Sequence, residues 1–295
     1  MKKQPILNWL IALIVILSLI TAGVGLFWRD GGSPFTFTSL RGQIVQIDGQ
    51  GLYRNDTLFI AGSFRGTDAI TLFIAVPLLV VAFVVYRRGS LRGGLLLVST
   101  LSWFLYNGAS MAVGAAYNSL FLAYIALFSA SLFAFILAFS SIDLAALPAR
   151  ISPGAPHRGL AIFLFIAGLA PLVLWLGDVI GSLTQGKVPE LLASYTTMVT
   201  YVLDLGVIVP AVFLSGILVL RRSPLGYALA MVMLVLLAVT GLAVFSATVA
   251  QISAGISFSP GSLIGMVGSW VILAFFAIWF AARLLRSLSG THGGS

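Results

Sequence analysis

Three aspartates and one asparagine stand in or beside long apolar stretches of this 295-residue chain. Asp204 lies within such a stretch, Asp68 and Asp178 lie near the ends of two others, and Asn107 belongs to the polar-spotted segment SWFLYNGAS. A carboxylate at the centre of a membrane helix costs about 2.5–3.5 kcal/mol on insertion scales, so it faces a partner, water or a ligand. Carboxylates and an amide at one depth therefore indicate a polar binding site.

The spacing of the neighbouring polar residues supports such a site. Thr197, Tyr201 and Asp204 are three and four residues apart, hence on one helix face. We predict that Asp204, Asp178 and Asn107 meet in a polar cavity that opens outward, with Arg65 as a counter-charge. Two alternatives stay open: a structural acid paired with a hydroxyl or arginine, and an aromatic belt that accounts for the tyrosines and Trp103. The predicted ligand-binding residues are Asp204, Asp178, Asn107, Arg65, Asp68 and Tyr201.

Catalytic and cofactor signatures are missing from the sequence. The chain has no cysteine, which excludes thiol catalysis, thiolate metal sites and disulfides, and it has only two histidines. It contains no HExxH, GxSxG, GxxxxGK[ST] or Rossmann glycine pattern. We therefore predict no catalytic residue, no metal and no cofactor, and an intramembrane enzyme is the third of three functional hypotheses.

The elements that must position these residues are membrane helices. Hydrophobic residues make up 60% of the chain and charged residues 8%, against about 25% charged residues in a soluble domain. A helix needs about 20 apolar residues to cross a bilayer, and eight stretches qualify. The predicted fold is an all-α bundle within a single membrane domain, residues 1–295. The spans are 6–28, 68–86, 94–114, 119–141, 159–180, 197–220, 225–249 and 262–282.

Positive charge sets the predicted orientation. Lysine and arginine collect in cytoplasmic loops, and an inside N-terminus places eleven of them there. This bias accounts for the net charge of +8 without nucleic acid. We predict a plasma-membrane protein with both termini in the cytoplasm and the lipid bilayer as its partner. The residues on the predicted cytoplasmic side are Lys2, Lys3, Arg87, Arg88, Arg92, Arg150, Arg158, Arg221, Arg222, Arg283 and Arg286.

Residues 29–67 form the only sizeable outer loop predicted. QIVQI and LYRNDTLF alternate apolar and polar residues around the turn DGQG, which predicts a small extracytoplasmic β-hairpin. Its charges, among them Asp48, Asp56 and Arg65, are expected to form a solvated face, with a lid as the alternative. Asp68 is expected at the N-terminus of the following helix, where the helix dipole favours a negative charge.

Two similar strings indicate an internal repeat. Asp68, Pro77 and Arg87-Arg88 precede one turn and a new span, and Asp204, Pro210 and Arg221-Arg222 precede another. Residues 1–141 and 159–286 would then be parallel halves of four spans each, related by an axis along the membrane normal. Coincidence is the alternative, because an apolar helix that ends in two arginines is common.

The strings GQGLYRNDTLF, PLLVVAFVVYRRGSLRGGLLL, FLYNGASMAVGAAYNSLFLAY and DLGVIVPAVFLSGILVLRR resemble a recurrent type of bacterial polytopic membrane protein with no known activity. The resemblance covers most of the chain. It implies residence in a bacterial plasma membrane, but it supplies no ligand, partner or catalytic residue.

The leading functional hypothesis is non-enzymatic binding or transport of a small molecule through the outward-facing polar cavity. The second is a structural or signalling role with a membrane partner or a second copy of the chain. Gly261, Gly265 and Ser269 repeat at four residues and make one helix face flat, which suits either internal packing or such a partner.

Overall fold

A computed structural model describes residues 5–145, 147, 151 and 156–288. Within this part of the chain, eight helices are long and apolar enough to cross a membrane, which confirms the predicted helical, multi-pass architecture. Lys2, Lys3 and Arg150, which the predicted orientation uses, lie outside the described residues. The helices are α1 (Pro5–Phe27), α2 (Leu58–Arg87), α3 (Leu91–Gly114), α4 (Phe121–Ser140), α5 (His157–Thr184), α6 (Val199–Leu220), α7 (Pro224–Ser253) and α8 (Pro260–Ser287).

Each set of four helices closes into a ring. In the first set α1 contacts α2 and α4, and α3 contacts the same two helices; in the second set α5 and α7 both contact α6 and α8. The rings meet where α7 packs against α2 and α3. Accordingly α3 and α7 are the most buried helices, with 61% and 72% of their most apolar 18-residue windows buried against 33–39% elsewhere.

Helix α2 begins ten residues earlier than the sequence pattern predicts. Thr57 caps it, because its side chain accepts a hydrogen bond from the Ile60 N–H. The first turns carry Ser63, Arg65 and Thr67, whose polarity hides the helix from a hydropathy reading although most of this face packs against protein. The expectation that Asp68 stands at a helix N-terminus is therefore wrong, since it lies eleven residues into α2 and is 3% exposed.

The β-hairpin exists, but its strands differ from the predicted pair. Strand β1 (Phe35–Thr38) pairs antiparallel with β2 (Ile44–Ile47), and QIVQI therefore supplies the second strand rather than the first. Its pairing with the following segment is limited to an isolated bridge between Ile47 and Thr57. The chain between them makes a tight turn in which Gly49 and Gly51 take positive φ. We call this end of the bundle the hairpin end.

Three of the charges expected to be solvated are buried. Asp48 is 0% exposed, Asp56 is 1% exposed and Arg65 is 7% exposed. Asp48 and Arg65 form a bidentate ion pair, with N–O distances of 2.7 and 2.5 Å. The loop after β2 is thus anchored to α2 by charge.

The prolines of α2 and α6 follow wide, π-type turns. The Val76 N–H bonds the Thr71 carbonyl and the Val209 N–H bonds the Asp204 carbonyl, each five residues back. Proline lacks an N–H and its ring clashes with the carbonyl four residues earlier. A wider turn immediately before each proline relieves that clash, because it moves the carbonyls off the usual ladder.

Equivalent features recur at one constant interval in the two rings. The ends of α2 and α6 and the starts of α3 and α7 share a positive-φ residue in the turn, a serine at the N-cap position and a close glycine contact, although of the two serines only Ser90 makes a side-chain capping hydrogen bond. The following pairs are each 133 residues apart: Thr71 and Asp204, which open the wide turns; Pro77 and Pro210; Arg88 and Arg221, which end the helices; Ser90 and Ser223, which precede the next helices; and Gly93 and Gly226, which touch the backbone of the preceding helix.

The small residues of α8 do not form an internal packing face. Gly261 and Gly265 are exposed, and an added Cβ at Gly265 would meet no atom within 4 Å. A π-type turn over Leu263–Gly268 also interrupts the four-residue periodicity. Of the two readings of this face, internal packing is therefore wrong.

Candidate functional site

A cavity of about 560 Å³ lies between the hairpin-end halves of α2, α3, α5, α6, α7 and α8. This volume falls in the range of about 300–1,000 Å³ that is typical of small-molecule sites. Asp204, Asp178, Asn107 and Tyr201 all line it. The structure thus brings together four of the six residues that the sequence singles out, although their role as ligand-binding residues stays a prediction.

Asp204 joins three helices at the inner part of this cavity. Its Oδ1 accepts a hydrogen bond from the Tyr106 hydroxyl at 2.9 Å, and its Oδ2 accepts one from the Trp175 indole N–H at 2.8 Å. Asp204 is 7% exposed. Because the wide turn of α6 begins at this residue, the backbone irregularity coincides with the buried acid, as is frequent at functional sites.

Asp178 lies nearer the hairpin end and is bound by Tyr201 rather than by Tyr106 or Trp175. The Tyr201 hydroxyl donates to its Oδ2 at 2.6 Å. The Tyr201 ring stacks on Trp175, with centroids 4.3 Å apart and an interplanar angle of 26°. Two acids on neighbouring helices are therefore linked through one stacked tyrosine–tryptophan pair.

Pro171 lines a small void beside this site. The void, about 10 Å³, is lined by Ala167, Pro171, Tyr106 and Asp204 among others, and its size suits about one water molecule. Proline cannot donate to the carbonyl of the residue four positions back, here Ala167. Both Ala167 and Pro171 line the void, and a freed carbonyl is tolerated in a membrane helix where water or a neighbouring helix satisfies it.

Arg65 and Asp68 do not line the cavity. Arg65 is held by Asp48, as described above, and also donates to the Gln50 carbonyl at 3.3 Å. Asp68 accepts a hydrogen bond from the Tyr53 hydroxyl at 2.7 Å and packs against Gly25 of α1. The counter-charge role expected of Arg65 at the cavity is therefore not seen, and Asp68, predicted to bind the ligand, lies outside the cavity wall.

The loop between α5 and α6 covers the hairpin end of the cavity. Glu190, Leu191 and Tyr195 of this loop line the cavity. The Tyr195 hydroxyl donates to Asp56 Oδ1 at 2.8 Å and accepts from the Thr57 N–H at 3.2 Å. The cover is therefore tied to the segment that follows the β-hairpin.

Sequence reasoning missed Asp56, Tyr195 and Trp175. Trp175 offered no polar pattern of its own, since it stands in an apolar run. Asp56 and Thr57 do carry a signal, because an Asp-Thr pair before an apolar run is typical of a helix start. Because residues 52–59 were interpreted as a strand, neither the capping role of Thr57 nor the burial of Asp56 was predicted.

Burial raises the pKa of Asp56 from its ordinary 3.8 to about 6, and hydrogen bonds from the Ala116 N–H and the Tyr195 hydroxyl oppose the shift. The negative charge of Asp48 raises this pKa further, and the positive charge of Arg65 lowers it. The folded state thus holds this proton more tightly than the unfolded state. The contribution of Asp56 to stability is complete below pH 3.8 and is lost as pH rises through about 6.

Asp56→Asn is therefore expected to flatten the pH dependence of unfolding. Relative to the variant, the wild type should lose up to about 3 kcal/mol between pH 4 and pH 7, at 1.36 kcal/mol per pKa unit. Unfolding midpoints of both proteins in detergent at pH 4, 5, 6 and 7 measure this. Asp30→Asn is the control with opposite sign, because hydrogen bonding to Gly51 lowers the pKa of Asp30. An equal difference between wild type and Asp56→Asn at pH 4 and pH 7 would contradict the prediction.

No protein-family model, curated protein or solved structure matches this chain.

Proposed function

We propose that the protein binds a small molecule in this cavity and moves it across, or senses it at, the plasma membrane. The observation that carries the proposal is a cavity of about 560 Å³ that holds Asp204 and Asp178 inside a membrane bundle. Ionisable residues at such depth are expensive and mark ligand or ion pathways by default. A chain that needed only a stable scaffold would fill this space with apolar side chains.

The proposed orientation follows from the arginines and lysines between the helices. Arg87, Arg88, Arg221 and Arg222 lie at the end of the bundle opposite the hairpin end. Because positive residues collect on the cytoplasmic side, that end and both termini face the cytoplasm. The cavity then opens toward the outside beneath the hairpin and the α5–α6 loop.

We further propose that α1–α4 and α5–α8 are parallel repeats. The constant interval of 133 residues, the two matching rings and the equivalent burial of α3 and α7 support this. Asn107 and Thr240, also 133 residues apart, both line the cavity. Repeat halves that flank one midplane site are common in transporters, which work by rocking one half against the other.

A variant that fills the cavity tests the proposal without changing its charge. Ser110 lines the cavity from α3, so Ser110→Trp is expected to abolish binding of any occupant. Thermal-shift screening of purified wild type against anionic, neutral and cationic compounds should yield stabilising ligands, worth about 2.7 kcal/mol at 100 times Kd. Counterflow in proteoliposomes then separates transport from binding alone.

The control is Ser140→Trp, at the exposed cytoplasmic end of α4, which should retain every response. If no compound stabilises the wild type, or if Ser110→Trp responds to all of them as the wild type does, the cavity is not a binding site.

A partner role is the second candidate. Gly261 and Gly265 present a flat, exposed surface on α8 that no described part of the chain covers. Small residues allow close approach of another membrane helix, and a second copy of the chain would suit this face.

A further inference from the structure

We propose that the cavity binds amphipathic organic cations, molecules that join a positively charged amine or phosphonium group to an apolar body. The inference rests on the proposed function and names its class of ligand. Three features carry it: the sign of the charged residues that line the cavity, the aromatic side chains beside them, and the apolar side chains in the rest of the wall.

All charged residues that line the cavity are acids. They are Asp178, Asp204 and Glu190, and no lysine, arginine or histidine lines it. Among the described residues, the ion pairs found join other acids, Asp30 to Arg54 and Asp48 to Arg65. In a cavity with largely apolar surroundings, charges of one sign repel an anion and attract a cation.

The hydrogen bonds at Asp204 leave it able to accept more. An indole N–H can only donate, so Trp175 requires an acceptor at Oδ2, and the Tyr106 hydroxyl meets Oδ1. Each carboxylate oxygen carries two lone pairs. One acceptor site per oxygen therefore remains for a ligand N–H or for direct contact with a cationic group.

Aromatic side chains surround the acids. Trp103, Trp175, Trp270, Tyr106, Tyr195 and Tyr201 all line the cavity. The stacked pair of Trp175 and Tyr201 lies between the two aspartates, because each ring donates to one of them. Cations bind over tryptophan and tyrosine faces with about 0.5–2 kcal/mol per contact, so carboxylates and rings here favour the same ligand charge.

Apolar side chains supply much of the remaining wall, beside hydroxyl and amide groups such as Asn107, and they favour an organic body in the ligand. Phe59, Phe64, Leu174 and Met266 are among them. Within the described residues, no group of three or more His, Cys, Asp or Glu side chains is arranged to hold a metal ion.

Two ions of matched size and opposite charge provide the test. Tetraphenylphosphonium should bind saturably to purified wild type, whereas tetraphenylborate, of the same shape, should bind at least about tenfold more weakly. The Asp178→Asn/Asp204→Asn double variant should lose at least about tenfold in affinity for tetraphenylphosphonium, because asparagine keeps the size and removes the charge. Quenching of tryptophan fluorescence and radioligand binding measure both.

The matched control is Asp143→Asn, which removes one carboxylate at the opposite end of the bundle and should leave binding unchanged. Should the double variant fail to fold, the preference of the wild type between the two ions decides alone. The inference is overturned if the wild type binds the two ions equally. It is also overturned if the double variant binds tetraphenylphosphonium as tightly as the wild type does. If neutral or anionic compounds bind instead and Ser110→Trp abolishes them, the proposed function stands and the cation assignment fails.

Discussion

Replacing Asp48 by alanine is expected to destabilise the protein by about 3–5 kcal/mol, the usual cost of leaving one partner of a buried ion pair alone. Asp48 is fully buried and receives both terminal nitrogens of Arg65. Without it, the buried guanidinium retains only the Gln50 carbonyl at 3.3 Å. The Arg65 Nε atom has no hydrogen-bond partner among the described residues.

A second arginine makes the loss more severe. Burial lowers the pKa of Arg29, the charge of Arg65 lowers it further, and Asp48 opposes both. Removing Asp48 therefore leaves the exposed Arg29 and the buried Arg65 without the carboxylate that offsets their mutual repulsion. Unfolding by increasing SDS mole fraction, followed by tryptophan fluorescence, measures the change in stability.

The matched control is the exposed pair of Arg54 and Asp30, 3.1 Å apart. Arg54→Ala should leave the unfolding midpoint nearly unchanged, because exposed pairs are screened by water and salt. An Asp48→Leu/Arg65→Met double variant should regain most of the stability, since it removes both charges together. If Asp48→Ala behaves like Arg54→Ala, the buried pair does not hold the loop to α2.

Gly66→Ala is expected to destabilise the bundle by about 3 kcal/mol, the upper end for overpacking. The added Cβ would lie 2.2 Å from the Ala247 nitrogen and 2.3 Å from its Cα. These are backbone atoms of α7, and they cannot turn aside as a side chain can. The variant forces α2 and α7 apart at the contact that joins the two rings and forms one wall of the cavity.

Gly177→Ala on α5 is the matched control, because nothing lies within 4 Å of its added Cβ. There the ordinary preference of a helix for alanine applies, and stability should rise by about 0.5–1 kcal/mol. The two variants make the same chemical change with opposite expected signs. SDS unfolding midpoints of both decide the matter, and a stabilising Gly66→Ala would show that α2 and α7 do not approach this closely.

The sequence predicted the depth of the polar residues in the membrane far better than the direction in which their side chains point. Counting residues from the ends of apolar runs placed Asp204, Asp178 and Asn107 at one level, and they do line one cavity. The same count placed Asp68 beside them, yet it faces Tyr53 and α1. Depth follows from the bilayer and the 1.5 Å rise per residue, whereas the direction around the helix axis depends on packing that hydropathy does not record.

Tertiary burial explains the other differences. The start of α2 reads as polar loop because Ser63 and Arg65 lower its hydropathy, but Ser63 meets Gln251 of α7 at 2.7 Å and Arg65 meets Asp48. Each polar group is satisfied by a residue distant in sequence. A single sequence shows the cost of these groups but not the partner that offsets it.

The wide turn at Asp204 divides α6 into an outer and an inner segment whose side-chain registers are offset by one residue. Relative to an uninterrupted α-helix, this offset turns the outer segment by about 100° and shifts it by about 1.5 Å. The offset therefore sets the direction in which Asp204 meets Tyr106 and Trp175, and it also spares Pro210 the clash with a preceding carbonyl. Helix α2 contains the same offset at Thr71, which accepts a hydrogen bond from the cavity-lining Trp103 at 3.3 Å.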